Sequence, residues 1–267
     1  MATLCNESWF QVVLRDWGNS QSQQDSAECT THLLAWLSSP AFNMRWERRV
    51  ELADGFQVCD HNSEHAPILL HIPHDIHHIG HCTLTELVRV WSQEQSMCTA
   101  LLTAAPCICV SIDRHHQTAE GEVVRSMCTV ALDSAVTWPI FTGTHLTCEQ
   151  ADYIVVAGTA HCGQDKAGHC RALLKIQPSL VTMAQPASWL LTDDAQAPLP
   201  IWNVPAWFEQ SVCVLWMVRS DCLQLPAYQP PVTIQPASPC RDDNSQESAL
   251  LHLLNAQPGI EHSQTEE

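Results

Sequence analysis

The chain has 267 residues, 45% of them hydrophobic, enough for one large domain or two small ones around a sizeable core. Its formal charge of −17 argues against nucleic acid and anionic membrane as partners, since phosphate surfaces are held by Lys and Arg, and suits a basic protein ligand. Fourteen cysteines stand with no visible secretory signal in Met1–Phe10, and no apolar run approaches the roughly 18 residues of a membrane span, so reduced thiols in a soluble protein of cytoplasm or nucleus are expected.

Asn6 to Trp17 places Trp9, Val13 and Trp17 on one helical face, and Gly18 stops it. Ser22 is positioned to cap a second helix, with Asp25 and Glu28 in its first turn, where acids suit the helix dipole. Leu33, Leu34 and Leu37 continue its apolar face until Ser38-Ser39-Pro40. Met44–Leu52 and Pro67–Ile72 read as strands, with Gly55–His65 a turn between them. His71, His74, His77, His78, His81 and Cys82 then cluster. His74, His78 and His81 could share a helical face and bind Zn²⁺, but Pro73 and Gly80 break that helix, so a solvated His-rich loop is the reading.

Thr83-Leu84-Thr85-Glu86 is a capping box opening a helix with Leu84, Leu87, Val88 and Trp91 on one side. Pro106 to Arg114 alternates, Ile108, Val110 and Ile112 facing one way as in a half-buried strand. After a turn at Glu120-Gly121-Glu122, Val123–Leu132 and Trp138–Phe141 read as short strands. Tyr153–Ala160 is β-branched and apolar, a buried strand; Gly163 to Gly168 turns the chain, and Arg171–Ile176 returns it. His169 thus lies at the mouth of a hairpin, and a second turn-rich gap leads to Trp189 and the pair Asp193-Asp194. A His on one strand with an Asp on its neighbour is how imidazole is oriented in nucleophilic hydrolases: the carboxylate fixes the tautomer and stabilises the imidazolium as it forms. Ala195–Pro205 is a Pro-rich connection, and Ser211–Arg219 a nearly continuous apolar run suited to a central strand. From Asp221 onward six prolines and seven acids against Arg241 alone predict a disordered tail, with one helix at Asn244–Asn255 suited to a partner.

The string from Tyr153 through His161-Cys162-Gly163, Gly168-His169 and Trp189 to Asp193-Asp194 resembles the histidine box of ubiquitin-specific proteases, papain-like cysteine hydrolases that cleave after ubiquitin's C-terminal glycine. Cys170 stands where that box has Tyr. Gln23-Gln24-Asp25-Ser26-Ala27-Glu28 resembles the family's Gln-Gln-Asp-x-x-Glu box, with Cys29 where Phe or Leu is usual. Pro106–Arg114 resembles its Pro-x-x-Leu-x-Ile-x-Leu-x-Arg-Phe strand, with His115 in place of Phe.

The resemblance implies an α+β, papain-like fold with fingers, a β-rich palm and a truncated helical thumb. It divides the chain into residues 1–221 (thumb remnant 1–40, fingers-like 41–105, palm 106–221) and a tail of residues 222–267. It implies His169 as general base, Asp193 as its orienting partner and Asp194 as an assisting acid, with Gln24, Asp25 and Glu28 holding the basic tail of ubiquitin. Ubiquitin or ubiquitinated proteins are the implied partners, with no cofactor. The fingers are read as metal-free, because Cys59 is followed by Asp60, His61 and Asn62, and Cys98 stands alone where Cys-x-x-Cys pairs would hold zinc. A Gly-Asn-Thr-Cys box, whose thiol attacks the isopeptide carbonyl in the family, has no counterpart: Cys5 is the sole cysteine before Gln23, with no Gly-Asn ahead of it. The two readings that follow are a thiol-dependent deubiquitinase whose nucleophile is not identified in this chain, and a catalytically inactive ubiquitin-binding or scaffolding protein.

Overall fold

Apolar side chains at every second position make strands of most of this molecule, and the few helices cover what the strands leave open. The computed structural model describes residues 26–93, 97–118, 120–143, 146–164, 167–176, 188–193 and 196–223. The helix expected at Asn6–Trp17, the cap at Ser22, and Cys5, Gln24, Asp25, Asp194 and the tail beyond Leu223 lie outside the described residues.

Helix α1 (Ser26–Leu37) buries Thr30 and Leu34, and a 3-10 turn at Pro40–Phe42 follows, capped by the Ser39 hydroxyl. Strands β1 (Trp46–Leu52) and β2 (Gly55–His61) form an antiparallel hairpin closing at Leu52 and Gly55, with a bulge between Arg48 and Arg49. Residues 55–61 are therefore strand rather than the turn their sequence suggested. Most of β2 is exposed on both faces, so its pairing comes from the backbone ladder and not from a buried stripe. Strand β3 (Ile68–His71) leads to helix α2 (His74–Ile79). Pro73 and Gly80, expected to break this helix, bound it instead. Pro73 is its N-cap, and Gly80 is its C-cap at φ +76°, with its N–H donated to Ile76 O.

Strand β4 (His81–Thr83) runs into helix α3 (Leu84–Ser92), where the Thr83–Glu86 capping box forms as the sequence indicates. Leu84, Leu87, Val88 and Trp91 are its buried face. Next come β5 (Met97–Leu101), β6 (Cys107–Asp113), β7 (His115–Gln117), β8 (Val123–Arg125), β9 (Thr129–Ala131) and β10 (Val136–Phe141). Strand β11 (Cys148–Gln164) is the spine of the fold. β10 pairs with it over 148–153, strand β15 (Val212–Arg219) over 153–160 and strand β12 (Ala167–Lys175) over 157–164. β13 (Trp189–Thr192) and β14 (Leu199–Ile201) extend the sheet beyond β12, and helix α4 (Ala206–Glu209) precedes β15.

The main sheet has 11 strands, ordered β14-β13-β12-β11-β10-β5-β1-β2, with β15 joining β11 to β6 and β6 pairing in parallel with β3. The run Ser211–Arg219 thus supplies a central strand, as expected. Close packing around it needs Gly158, where a Cβ would come within 2.9 Å of Leu215 Cδ2 and 3.1 Å of the Phe208 ring. Trp46, Trp91 and Trp138 meet edge to face, centroids 5.9 and 5.3 Å apart, so α3 is seated across β1 and β10 by aromatic contact. Tyr153 is fully buried and donates its hydroxyl proton to Ala105 O at 2.7 Å. No helix among the described residues is long and apolar enough to cross a membrane.

Candidate functional site

The β11–β12 hairpin closes at Gln164 and Ala167, and Cys162 faces His169 directly across it. An arginine and a glycine hold this tip. Arg125 donates from Nη1 to His161 Nδ1 (3.0 Å) and to Gly163 O (3.3 Å), and from Nη2 to His161 O (2.6 Å). A guanidinium can only donate, so His161 Nδ1 accepts and the ring is neutral with its proton on Nε2. The imidazole then lies over the backbone of Gly168, where any Cβ would collide with Nε2. That gives a physical reason for the spacing of His161, Gly163, Gly168 and His169. The first histidine is a wedge that fixes the glycine before the second.

The structure brings His169 and Asp193 together: Nε2 lies 2.5 Å from Asp193 Oδ1. β12 carries the histidine and the end of β13 the acid, neighbours in register from Ala172↔Thr192 onward. With the carboxylate on Nε2, the neutral ring keeps its proton there and its basic lone pair on Nδ1. The Asp193 side chain is 18% exposed and that of His169 41%, so the carboxylate is sheltered while the imidazole meets solvent.

Arg171, which the sequence reading did not single out, completes the group. It lies two residues beyond His169 and therefore on the same face of β12. Its Nε is 2.9 Å from Asp193 Oδ2, an ion-pair contact in which the N–H is not aligned as a hydrogen bond. Its guanidinium lies 5.3 Å from the centroid of Trp207 on α4. The Asp193 carboxyl is held below the usual carboxylate range, first by the bond from His169 and then by the charge of Arg171, against its own desolvation. Only the period-two spacing of residues 169 and 171 could have flagged this arginine from sequence.

The thiol across the hairpin from His169 does not gain acidity. Cys162 is cross-strand to His169 on one face, which puts such side chains about 5 Å apart at Cβ. Burial nonetheless raises its thiol pKa, Arg171 and Arg125 opposing and Asp193 adding to it. Cys170 points to the other face, toward α1, where Cys29 is raised by burial first and by Cys170 second. Ser26 Oγ lies 3.1 Å from Cys213 Sγ, which seats the start of α1 on β15. Glu28 is exposed on this first turn, and among the described residues it takes no ion pair.

No group of three or more His, Cys, Asp or Glu among the described residues is placed to hold a metal ion. His71 and His115 both approach Asp113, at 3.1 and 3.5 Å, through Nδ1. Cys98, read as solitary, has a thiol neighbour: Cys148 Sγ is 3.8 Å away.

No family model matches the chain, and no curated protein matches it. Among solved structures, a chain of the yeast SAGA DUB module carrying a mutant Sgf73 is similar at 11% identity with a TM-score of 0.50. That match covers 79% of this chain and 46% of the other. A chain of the Ubp8-Sgf11-Sgf73-Sus1 SAGA DUB module is similar at 10% identity and a TM-score of 0.49, with 79% and 47% covered. The likeness is one of fold, the ubiquitin-specific protease type that the histidine-box resemblance implied; the described residues are mostly strand with few helices. This chain spans about half the length of the chains it matches.

Proposed function

We propose that the chain is the base-bearing part of a cysteine-type deubiquitinase, a surface that engages ubiquitin and holds His169 and Asp193 beside the peptide or isopeptide bond after ubiquitin's C-terminal glycine. The 2.5 Å bond between His169 Nε2 and Asp193 Oδ1 at the open tip of the hairpin carries this reading. In the reaction it implies, Nδ1 of His169 takes the proton of an attacking thiol while Asp193 stabilises the imidazolium. The ring then returns that proton to the leaving amine. Asp194 assists as a neighbouring acid, and Gln24, Asp25 and Glu28 receive the basic tail of ubiquitin. Residues 1–40 act as the thumb remnant, 41–105 as fingers and 106–221 as palm, and cytoplasm or nucleus is the place of action. The attacking thiol is not assigned in this chain.

One observation favours a second reading, a ubiquitin-binding chain without catalysis. Burial raises the thiol pKa of Cys29, Cys82, Cys107, Cys109, Cys148 and Cys162, whereas nucleophilic cysteines sit where theirs is lowered. The chain, incubated with ubiquitin bearing a C-terminal electrophile and separately titrated with ubiquitin, distinguishes the two. A covalent adduct slowed about a hundred- to ten-thousand-fold by His169→Ala supports the enzyme. Saturable binding without an adduct supports the second reading, and absence of both defeats the ubiquitin assignment.

A further inference from the structure

The sheet has one weak seam. β1 and β5 are registered over five residue pairs and β10 and β11 over six, but β5 and β10 between them share one, Leu101↔Ile140. The three-strand ribbon β2-β1-β5 therefore joins the rest of the sheet by very little backbone pairing. Side chains make up the difference. Arg49 is 5% exposed, is paired with Glu47 at 2.8 Å and has its guanidinium 3.8 Å from the Phe141 ring centroid. It also donates to Gly143 O at 3.1 Å, and the Trp46–Trp91–Trp138 contacts lie over the same seam.

Cys98 is on the ribbon side of this seam and Cys148 on the other, their sulfurs 3.8 Å apart. Both line a cleft of about 350 Å³ walled by Arg89 and Gln93 of α3, Thr137 of β10 and Gln150 of β11. A second pair, Cys82 and Cys128, has the same spacing at 3.9 Å but is 1% and 2% exposed, and it joins β4 to the loop before β9, strands already paired in parallel. The two pairs differ in access and in consequence. The first opens on a cleft whereas the second is buried, and the first bridges elements that share a single backbone pair.

We propose that Cys98 and Cys148 form a redox-active dithiol whose disulfide staples the β2-β1-β5 ribbon to the main sheet. Closure needs the sulfurs to approach from 3.8 Å to bonding distance, about 2.05 Å, and Cys148 Sγ to leave its 3.6 Å contact with Leu146 O. The oxidant is a small-molecule disulfide of the glutathione class. The Cys98 thiolate attacks one of its sulfurs, the S–S bond breaks and one small thiolate leaves. The Cys148 thiolate then attacks Cys98 Sγ and expels the second, so two protein thiols become one disulfide as one small disulfide becomes two thiols. The Cys148 thiol is pushed up to about 12, by burial first and then by the charge and hydrogen bond of Cys98, with Arg49 opposing. Once Cys98 is in mixed disulfide, both of its contributions vanish, and Cys148 becomes the resolving thiol.

The test treats the folded 267-residue chain with oxidised glutathione and maps cysteines by alkylation and peptide mass. The expected result is a Cys98–Cys148 cross-link reversed by dithiothreitol, with Cys82 and Cys128 still reduced. Amide exchange in β5 should slow in the oxidised chain. Cys148→Ser and Cys98→Ser should each retain glutathione on the remaining thiol, because neither variant can resolve the mixed disulfide, a result that holds even if either variant is less stable. The proposal is overturned if Cys98 and Cys148 stay separately alkylatable, if Cys82–Cys128 closes first, or if neither serine variant retains glutathione.

Discussion

A methyl group on Gly168 would fall inside the imidazole of His161, a ring that cannot simply swing aside because Arg125 holds its Nδ1 and its carbonyl. Gly168→Ala is therefore expected to cost about 1–3 kcal/mol by overpacking. Most of that cost should disappear when His161→Ala is made as well, since the clash then has no partner. A double-mutant cycle by urea denaturation measures this, and strictly additive losses would show that the wedge does not exist. Asp193 gives a second test at the same tip. Its native pKa lies below the unfolded value of about 3.9, so its contribution to stability is complete above that value and is lost as pH falls through the native pKa. The stability gap between the parent chain and Asp193→Asn should close as pH falls from about 4 into stronger acid. A gap that persists at the acid end would detach the ionised carboxylate from the His169 and Arg171 contacts. At this scale the sequence was informative about His169 and Asp193, because a histidine at a hairpin mouth and an acid after a Trp strand are local patterns. It was silent on Arg171 and Arg125, whose partners lie on other strands.

Elements show why some boundaries were legible and others were not. The capping box at Thr83 and the alternation of Cys107–Asp113 were readable because each places a buried stripe against a polar one. β2 was not, because only Phe56 along it is even half-buried and alternation carries no signal when both faces are wet. α2 was missed for a different reason. Pro73 and Gly80 were read as breakers of a long helix, whereas in a helix of six residues they are its two ends. Gly80 then makes a clean prediction. Nothing lies within 4 Å of where its Cβ would be, so the cost of Gly80→Ala is backbone strain at φ +76° alone, about 1–2 kcal/mol. Gly80→Asn should cost less, because asparagine tolerates the left-handed region. Thermal or urea midpoints that rank Asn equal to or below Ala would refute the assignment of this glycine to a left-handed cap.

For the whole molecule, the order of strands was beyond the reach of the sequence, since β15 comes last and is inserted between β11 and β6. What pins that non-local arrangement is Arg114, 2% exposed at the end of β6. It donates from Nε to Val212 O at the start of β15, from Nη1 to Cys128 O before β9, and from Nη2 to Glu209 O at the end of α4, each at 2.7 Å. Burial lowers its pKa to about 10, so the guanidinium stays charged at neutral pH and its donors are charge-assisted. Three carbonyls from three separate elements thus converge on one planar fork, and a point charge could not serve them all. Arg114→Met should leave those acceptors buried without donors and cost about 3–5 kcal/mol, a large share of the roughly 5–15 kcal/mol that holds a domain folded. Arg114→Lys keeps the charge but can reach one carbonyl well, so it should recover little. Because either variant could fail to fold, the decisive comparison is between them under matched refolding, read by the urea midpoint or by loss of a cooperative transition. A lysine variant within about 1 kcal/mol of the parent would show that charge, not the fork, closes the sheet.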